Sequence, residues 1–325
     1  MCYPKINDFG LQKKLMLSLN GNAALFVVFL YCSSWGFFGH RKINRLAVFT
    51  LPAEMSVFYK KNIRVIEETA VNPDRRRYII PEEAARHYID LDAWGDSTAF
   101  HLPRYWQNAV GKFGADTLLA HGILPWHINR VYFELKDAFF VNDPERILRL
   151  SADLGHYVAD AHVPLHTTKN YDGQLTGQNG IHAFWESRLP ELFSGEFDFF
   201  TGKAMHIDNV QLAAWRIVGH SNQALDSVLR IEKQLAARWG DKKFNFESQG
   251  RQTFKVFSAD YSKAYHKLLS GMVERQMRAA VFMIGSLWYT AWVDAGQPDL
   301  KSLVDYHPSP EEIKKREAEI KKMEE

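Results

Sequence analysis

Apolar residues recur every three or four positions along most of the chain after Trp35, as in INRLAVF (43–49), WHINRVYFELKDAFF (126–140) and ERILRLSADLGHYVADA (145–161). That period puts one apolar stripe on a helix, and it predicts helices in all three segments. Asp143 supplies a capping oxygen and Pro144 a preset first turn, so the third of these helices starts there; Pro164 ends it. A further helical block runs through 208–239, and another from about Asp260 to Asp294 with LLSGMVERQMRAAVFMIGSLWYTAW as its apolar spine. Gly271 and Gly285 in that spine read as points of close packing. Strand-like alternation is scarce. The segments 173–180 and 240–250 are polar, glycine-bearing loops, and 308–325, PSPEEIKKREAEIKKMEE, alternates charge sign without apolar spacing, as a solvated helix or frayed end does. No repeat or linker divides 35–305, which is therefore expected to form one all-α, multi-helix domain with a charged C-terminal tail, 306–325.

The N-terminal pattern differs. Residues 11–34 carry Lys13 and Lys14, then a mostly apolar stretch with a continuous core from Ala23 to Tyr31, then small residues, which is the arrangement of a secretory signal peptide, 1–34. The apolar core is short for a spanning helix and Asn20-Gly21-Asn22 interrupts it, so an uncleaved membrane anchor is the lesser alternative. Cleavage after Ser34 would export the protein and leave Trp35 at the new N-terminus. Cys2 and Cys32, the two cysteines of the chain, would both be lost, so the exported form needs a staple other than a disulfide. With 325 residues, 46% hydrophobic and 24% charged, there is ample material for a large core. Lys and Arg number 40 against 38 for Asp and Glu, a formal net charge of +2, which excludes a global field that would draw the protein to nucleic acid or an anionic membrane.

Candidate chemistry concentrates in 151–186, SADLGHYVADAHVPLHTTKNYDGQLTGQNGIHAFWE. His156 and Asp160 are four apart, as are His182 and Glu186, so on helices each pair projects from one face and can chelate a metal. Such a pair alone is commonly a surface ion pair or a capped core histidine. Two pairs with His166 between them, just after Pro164, point to metal ligation.

Three upstream segments complete an ordered series: WGFFGH (35–40), NPDRRR (72–77) and RHYIDLD (86–92). With them the stretch from Trp35 to Glu186 resembles the zinc-dependent phospholipase C / S1-P1 nuclease superfamily, exported all-α enzymes with three zinc ions at the bottom of a cleft. The resemblance implies a helix bundle of that type, with nine metal ligands. The amine and carbonyl of Trp35, with His40, would hold one ion, sharing Asp160 with a second held by Asp74, His87 and His156. His166, His182 and Glu186 would hold the third. Asp74 and Asp160 would then be catalytic residues. Arg77 falls where the nuclease branch has an arginine in an Asp-x-x-Arg motif, and is the candidate for binding the substrate phosphate. Asp90, Asp92 and Asp153 read as residues that orient ligands or lie on the surface. The remaining histidines, His127 and His162 among them, have no partner at ligand spacing and are assigned no catalytic role.

The activity so implied is phosphodiester hydrolysis by in-line attack of a zinc-bound hydroxide, since zinc can lower the pKa of water from 15.7 toward about 7. GIHAFWE (180–186) is similar to the bacterial phospholipase branch, and WGFFGH and Asp-x-x-Arg to the nuclease branch. A phospholipase C-like enzyme acting on a phospholipid head group, with transient contact at a membrane surface and no stable protein partner, is the first expectation. An S1/P1-type nuclease releasing 5′-nucleotides from single strands is the second. A non-catalytic protein in which zinc only staples helices is the third, against which stands the open three-ligand set His166, His182 and Glu186.

Overall fold

The computed structural model describes residues 37–95, 102–249 and 252–305, together with positions 310, 311, 313, 314 and 318. The proposed signal peptide and Trp35 lie outside the described residues. The described ones belong to one unit, Trp35–Glu325, and are mainly helical. Thirteen α-helical segments are described: α1 (Phe37–Ala47), α2 (Ala53–Lys61), α3 (Ile63–Thr69), α4 (Asn72–Arg76), α5 (Trp106–Phe113), α6 (Ala115–Ala120), α7 (Leu124–Phe140), α8 (Pro144–Ala161), α9 (Ile181–Ala183), α10 (Leu189–Phe193), α11 (Val210–Trp239), α12 (Ala259–Leu268) and α13 (Met272–Asp294). A π turn, Phe184–Arg188, joins α9 to α10. None of the described helices is long and apolar enough to cross a membrane.

Helix α8 is the axis of the bundle. The Asp143 side chain accepts a hydrogen bond from the Arg146 amide at 3.0 Å, and Pro144 opens the first turn. From Leu150 to Ala161 every residue of α8 is buried, because α1, α3, α7 and α13 pack around it. A helix covered on all sides can carry polar side chains only where each finds a partner. Ser151 finds Tyr59 at 2.8 Å, and its carbonyl accepts from the Trp288 indole at 2.9 Å. Gly155, one residue before His156, lets α1 come close: a Cβ there would lie 1.9 Å from the Asn44 amide oxygen. Any larger residue would have to displace the buried Asn44 side chain.

Two details depart from the sequence pattern. The segment expected as a polar loop at 240–250 instead starts an antiparallel hairpin, β1 (Phe244–Gln249) with β2 (Gln252–Phe257), in which Phe244 pairs with Phe257 and Phe246 with Lys255. Phe257 stacks on Phe184 of the π turn at 3.9 Å, so tertiary packing, not alternation along the strand, holds the hairpin down. The block from Asp260 to Asp294 is two helices. Gly271 adopts φ +75° at the start of α13, so it serves the chain reversal, whereas Gly285 is a true packing point, its Cβ position only 1.9 Å from the Thr50 hydroxyl. In the expected tail, Pro310, Glu311, Ile313, Lys314 and Ala318 are helical and exposed.

Candidate metal centre

His156 and Asp160 point the same way from the last turns of α8, as their spacing requires. Pro164 then breaks the helix, and the 3-10 turn Pro164–Thr167 carries His166 back toward Asp160. His87 arrives from a separate 3-10 turn and is tied to this segment twice: the Ile89 amide donates to the His166 carbonyl at 2.9 Å, and His166 Nδ1 donates to the His87 carbonyl at 2.6 Å. His40 comes from the first turns of α1 and stacks on His156, ring centroids 3.9 Å apart. His182 and Glu186 stand on α9 and the π turn, and Asp74 on the short helix α4.

Eight of the nine expected ligands are thereby brought together, and Trp35 lies outside the described residues. Three of their donor groups, His87/His156/Asp160, His166/His182/Glu186 and His40/Asp160/Glu186, each keep their ligand atoms within 4.8 Å of one another, as does His40/Asp74/His156. Asp160 spans two groups: Oδ1 lies 3.3 Å from His40 Nε2, and Oδ2 lies 2.9 Å from His87 Nδ1 and 3.3 Å from His156 Nε2. Glu186 spans two as well, its oxygens 3.2 Å from His40 Nε2 and 2.7 Å from His182 Nε2. Sequence spacing had tied Glu186 to the third group alone.

The donor set fits a cation. His156 Nδ1 donates to the Ala70 carbonyl at 2.8 Å, which fixes the tautomer and leaves its Nε2 lone pair facing His87 Nδ1 at 3.1 Å. His166 likewise spends Nδ1 on a carbonyl and turns Nε2 to His182 Nε2 at 2.9 Å. Lone pairs aimed at one another repel unless a proton or metal lies between them. Donors about 2.0–2.2 Å from a tetrahedral zinc stand about 3.3–3.6 Å apart, within the range of separations found here. Burial works against ionisation of Asp160, yet His156 and His166 hold its carboxyl well below the usual carboxylate range. Burial also works against protonation of His166, but Asp160 and Glu186 raise it to about 9. A divalent ion bound there would displace the proton that Asp160 and Glu186 favour on His166.

A buried network behind His87 was not legible as functional from the sequence. Glu83 is fully buried, with its carboxylate 3.7 Å from His87 Nε2. It accepts from the Tyr157 hydroxyl and pairs with Arg86 at 2.5 Å, while Arg76 binds Asp153 at 3.1 Å and Tyr157 at 3.2 Å. Burial opposes ionisation of Glu83, but His87 and Arg76 hold it well below the ordinary range. The signal was available: Glu83 and His87 are four apart, the same spacing that singled out the other pairs. Arg77 lies outside this network, its side chain 47% exposed and 3.6 Å from Asp74. Asp153 is thus an anchor for Arg76, and Asp92 accepts from Thr168 Oγ1 at 2.7 Å and the Lys169 amide at 3.0 Å. Tyr171 packs edge-on against His182, ring centroids 6.0 Å apart, with 52% of the residue exposed.

No family model matches the chain, and no curated protein matches it significantly. The geometry by itself defines a class: a helical protein whose buried histidine, aspartate and glutamate side chains form linked groups able to hold metal ions.

Proposed function

We propose that this chain is an exported zinc-dependent phosphodiesterase of the phospholipase C / S1-P1 nuclease type, holding three zinc ions once Trp35 is freed. The observation that carries the reading is the convergence of His40, Asp74, His87, His156, Asp160, His166, His182 and Glu186 into linked donor groups. Zinc bound there would supply positive charge for the phosphate and hydroxide at neutral pH. Asp160 and Glu186, each shared by two donor groups, would take part in holding the ions of both. Asp74, 23% exposed at the edge of the cluster, would orient the attacking water or take its proton. Arg77 beside it is free enough in solvent to turn toward a substrate phosphate.

A phospholipid is the first substrate reading. Tyr78, Ile79 and Leu175 are 68%, 44% and 69% exposed in the segments that follow Asp74 and precede His182, and such apolar side chains suit a lipid surface. The single-strand nuclease remains the second reading because Tyr171 presents an exposed ring next to His182, where a base can stack. A side-by-side assay of the processed, zinc-loaded protein on phosphatidylcholine vesicles and on single-stranded DNA and RNA tests both. Diacylglycerol plus a phosphorylated head group supports the first, 5′-nucleotides without lipid turnover supports the second, and no hydrolysis of either rejects the phosphodiesterase. The role of Trp35 is tested separately by adding a short uncleavable extension before it. A blocked amine is expected to lower both zinc content and activity; equal values in the two forms would remove Trp35 from the centre.

A further inference from the structure

A cavity of about 30 Å³ lies between α1, the end of α8, the π turn and α13. His40 and Trp185 line it, 4% and 3% exposed. Each has a buried ring nitrogen, Nδ1 of His40 and Nε1 of Trp185, without a hydrogen-bond partner among the described residues. The indole nitrogen can only donate. His40 turns Nε2 to Asp160 at 3.3 Å and to Glu186 at 3.2 Å, so with a metal on Nε2 the ring proton sits on Nδ1, which then donates as well. His156 and His166 place the same donor on backbone, their Nδ1 atoms bonding the Ala70 and His87 carbonyls at 2.8 Å and 2.6 Å. His40 has the cavity instead.

The occupant follows from the walls. Two buried donors without acceptors are costly, and a molecule that accepts from both removes that cost. A cation would meet two N–H groups. An anion would meet the Glu186 carboxylate, which lines the cavity too. A space of this size holds one or two waters and nothing larger, since each needs about 10–15 Å³. Water has two lone pairs for the two N–H groups, and its own protons then need an acceptor. Gln276, 4% exposed on the α13 wall, offers one: its Nε2 bonds Ser221 Oγ at 3.3 Å, which leaves the amide oxygen. Ser221 is fixed in turn by donating to the Ala161 carbonyl at 2.7 Å, at the end of α8. His162, also on the wall, donates from Nδ1 to the Val158 carbonyl at 2.7 Å and keeps Nε2 as a further acceptor. Much of the remaining wall is apolar, with Ile43, Val273, Met277 and Ala280.

We propose that a water molecule in this cavity accepts from His40 Nδ1 and Trp185 Nε1 and donates to Gln276, which makes Trp185 and Gln276 positioning residues for His40 as a metal ligand. This role rests on the metal-binding reading of the centre and is independent of phosphodiester hydrolysis. A crystal structure of the zinc-loaded protein is expected to show a water within about 3.2 Å of both nitrogens. A dry cavity there would overturn the proposal. Zinc affinity, read by competition with a zinc indicator, gives the second test. Trp185→Phe keeps a ring and loses the N–H; Gln276→Met keeps the length and loses the acceptor. Each is expected to weaken one bound ion about tenfold, as when a partner that orients a ligating histidine is lost, with the other ions held as in the parent. His40→Ala serves as the reference and is expected to lose that same ion. If His40→Ala keeps every ion of the parent, the metal reading of His40 falls and the water's role with it. If His40→Ala loses an ion while Trp185→Phe and Gln276→Met both bind zinc as the parent does, the water's role alone is overturned: the two side chains then only pack, and their loss moves the unfolding temperature of the chelated protein without moving metal affinity.

Discussion

The two ends of the metal centre rest on different supports. His87, His156 and Asp160 are 2%, 0% and 1% exposed, on and beside a helix that the whole bundle encloses. His182 and Glu186 have side chains 26% and 15% exposed and stand on a three-residue helix and a π turn. At the first end the candidate ligands are also core residues, so metal binding there would share its contacts with folding. At the second the candidate ligands border the open side, where Tyr171 stands, and they take less part in the core. A π turn inserted at a helix junction suits this role, because it re-aims one side chain without disturbing the bundle.

Removing metal altogether should have the largest effect. Each ion bound at a thousandfold excess over its Kd contributes about 4 kcal/mol, so chelation is expected to lower the unfolding temperature by more than about 10 °C. Calorimetry before and after chelation, with elemental analysis near three zinc ions per chain, checks this. One ion or none after zinc-replete purification would dissolve the two-ended centre.

Substitutions at the two ends should then separate. His156→Ala removes one of the histidines paired with buried Asp160 and leaves a cavity beside it, and is expected to cost about 2–5 kcal/mol of stability together with metal. Glu186→Gln is expected to lose metal and slow turnover about 100-fold, while its unfolding temperature after chelation stays within about 3 °C of the chelated parent. Denaturant unfolding and metal analysis on both variants make the comparison. A wild-type rate in Glu186→Gln would return the His182–Glu186 contact to an ordinary ion pair worth at most about 1 kcal/mol.

The support behind the buried end is tested by Glu83→Gln, which keeps shape but removes the charge facing His87. Metal affinity, read by competition with a zinc indicator, is expected to fall about 10–100-fold, as for partners that orient a ligating histidine. A smaller effect is expected at Asp90, three residues beyond His87. Burial, with Asp92 close by, raises its pKa to about 6. A carboxyl raised in the folded state stabilises the fold below its ordinary pKa of 3.8, and that contribution is lost as pH rises through about 6. Asp90→Asn should therefore be more stable than the parent at pH 7 by about 1 kcal/mol, the difference closing below about pH 4. Thermal unfolding across that window gives the answer; a variant destabilised at pH 7 would contradict it. Smallest is Tyr171→Ala at the exposed end, expected to raise KM about threefold with zinc content unchanged. Lost zinc in that variant would make Tyr171 a support for His182 and not a substrate contact.

The sequence alone was sufficient for the elements whose signals are local. The boundaries of α8 follow from Asp143, Pro144 and Pro164, and α11 follows from its apolar period, because capping, proline geometry and stripe spacing act within a few residues. The pairs His156/Asp160 and His182/Glu186 were legible for the same reason, since one turn of helix is enough to bring their members together. The hairpin at Phe244–Phe257 was not, because its partner surface, Phe184, lies far away in the chain. Nor was the inward turn of Arg76 in place of Arg77, which depends on Asp153 and Tyr157 from another helix. Tertiary structure alone decided that Glu186 reaches His40 and that Glu83 joins Arg76 and Tyr157 in a buried network behind His87. These are distances between segments up to about 150 residues apart, and they exist only once burial of the apolar stripes has set the helices against one another.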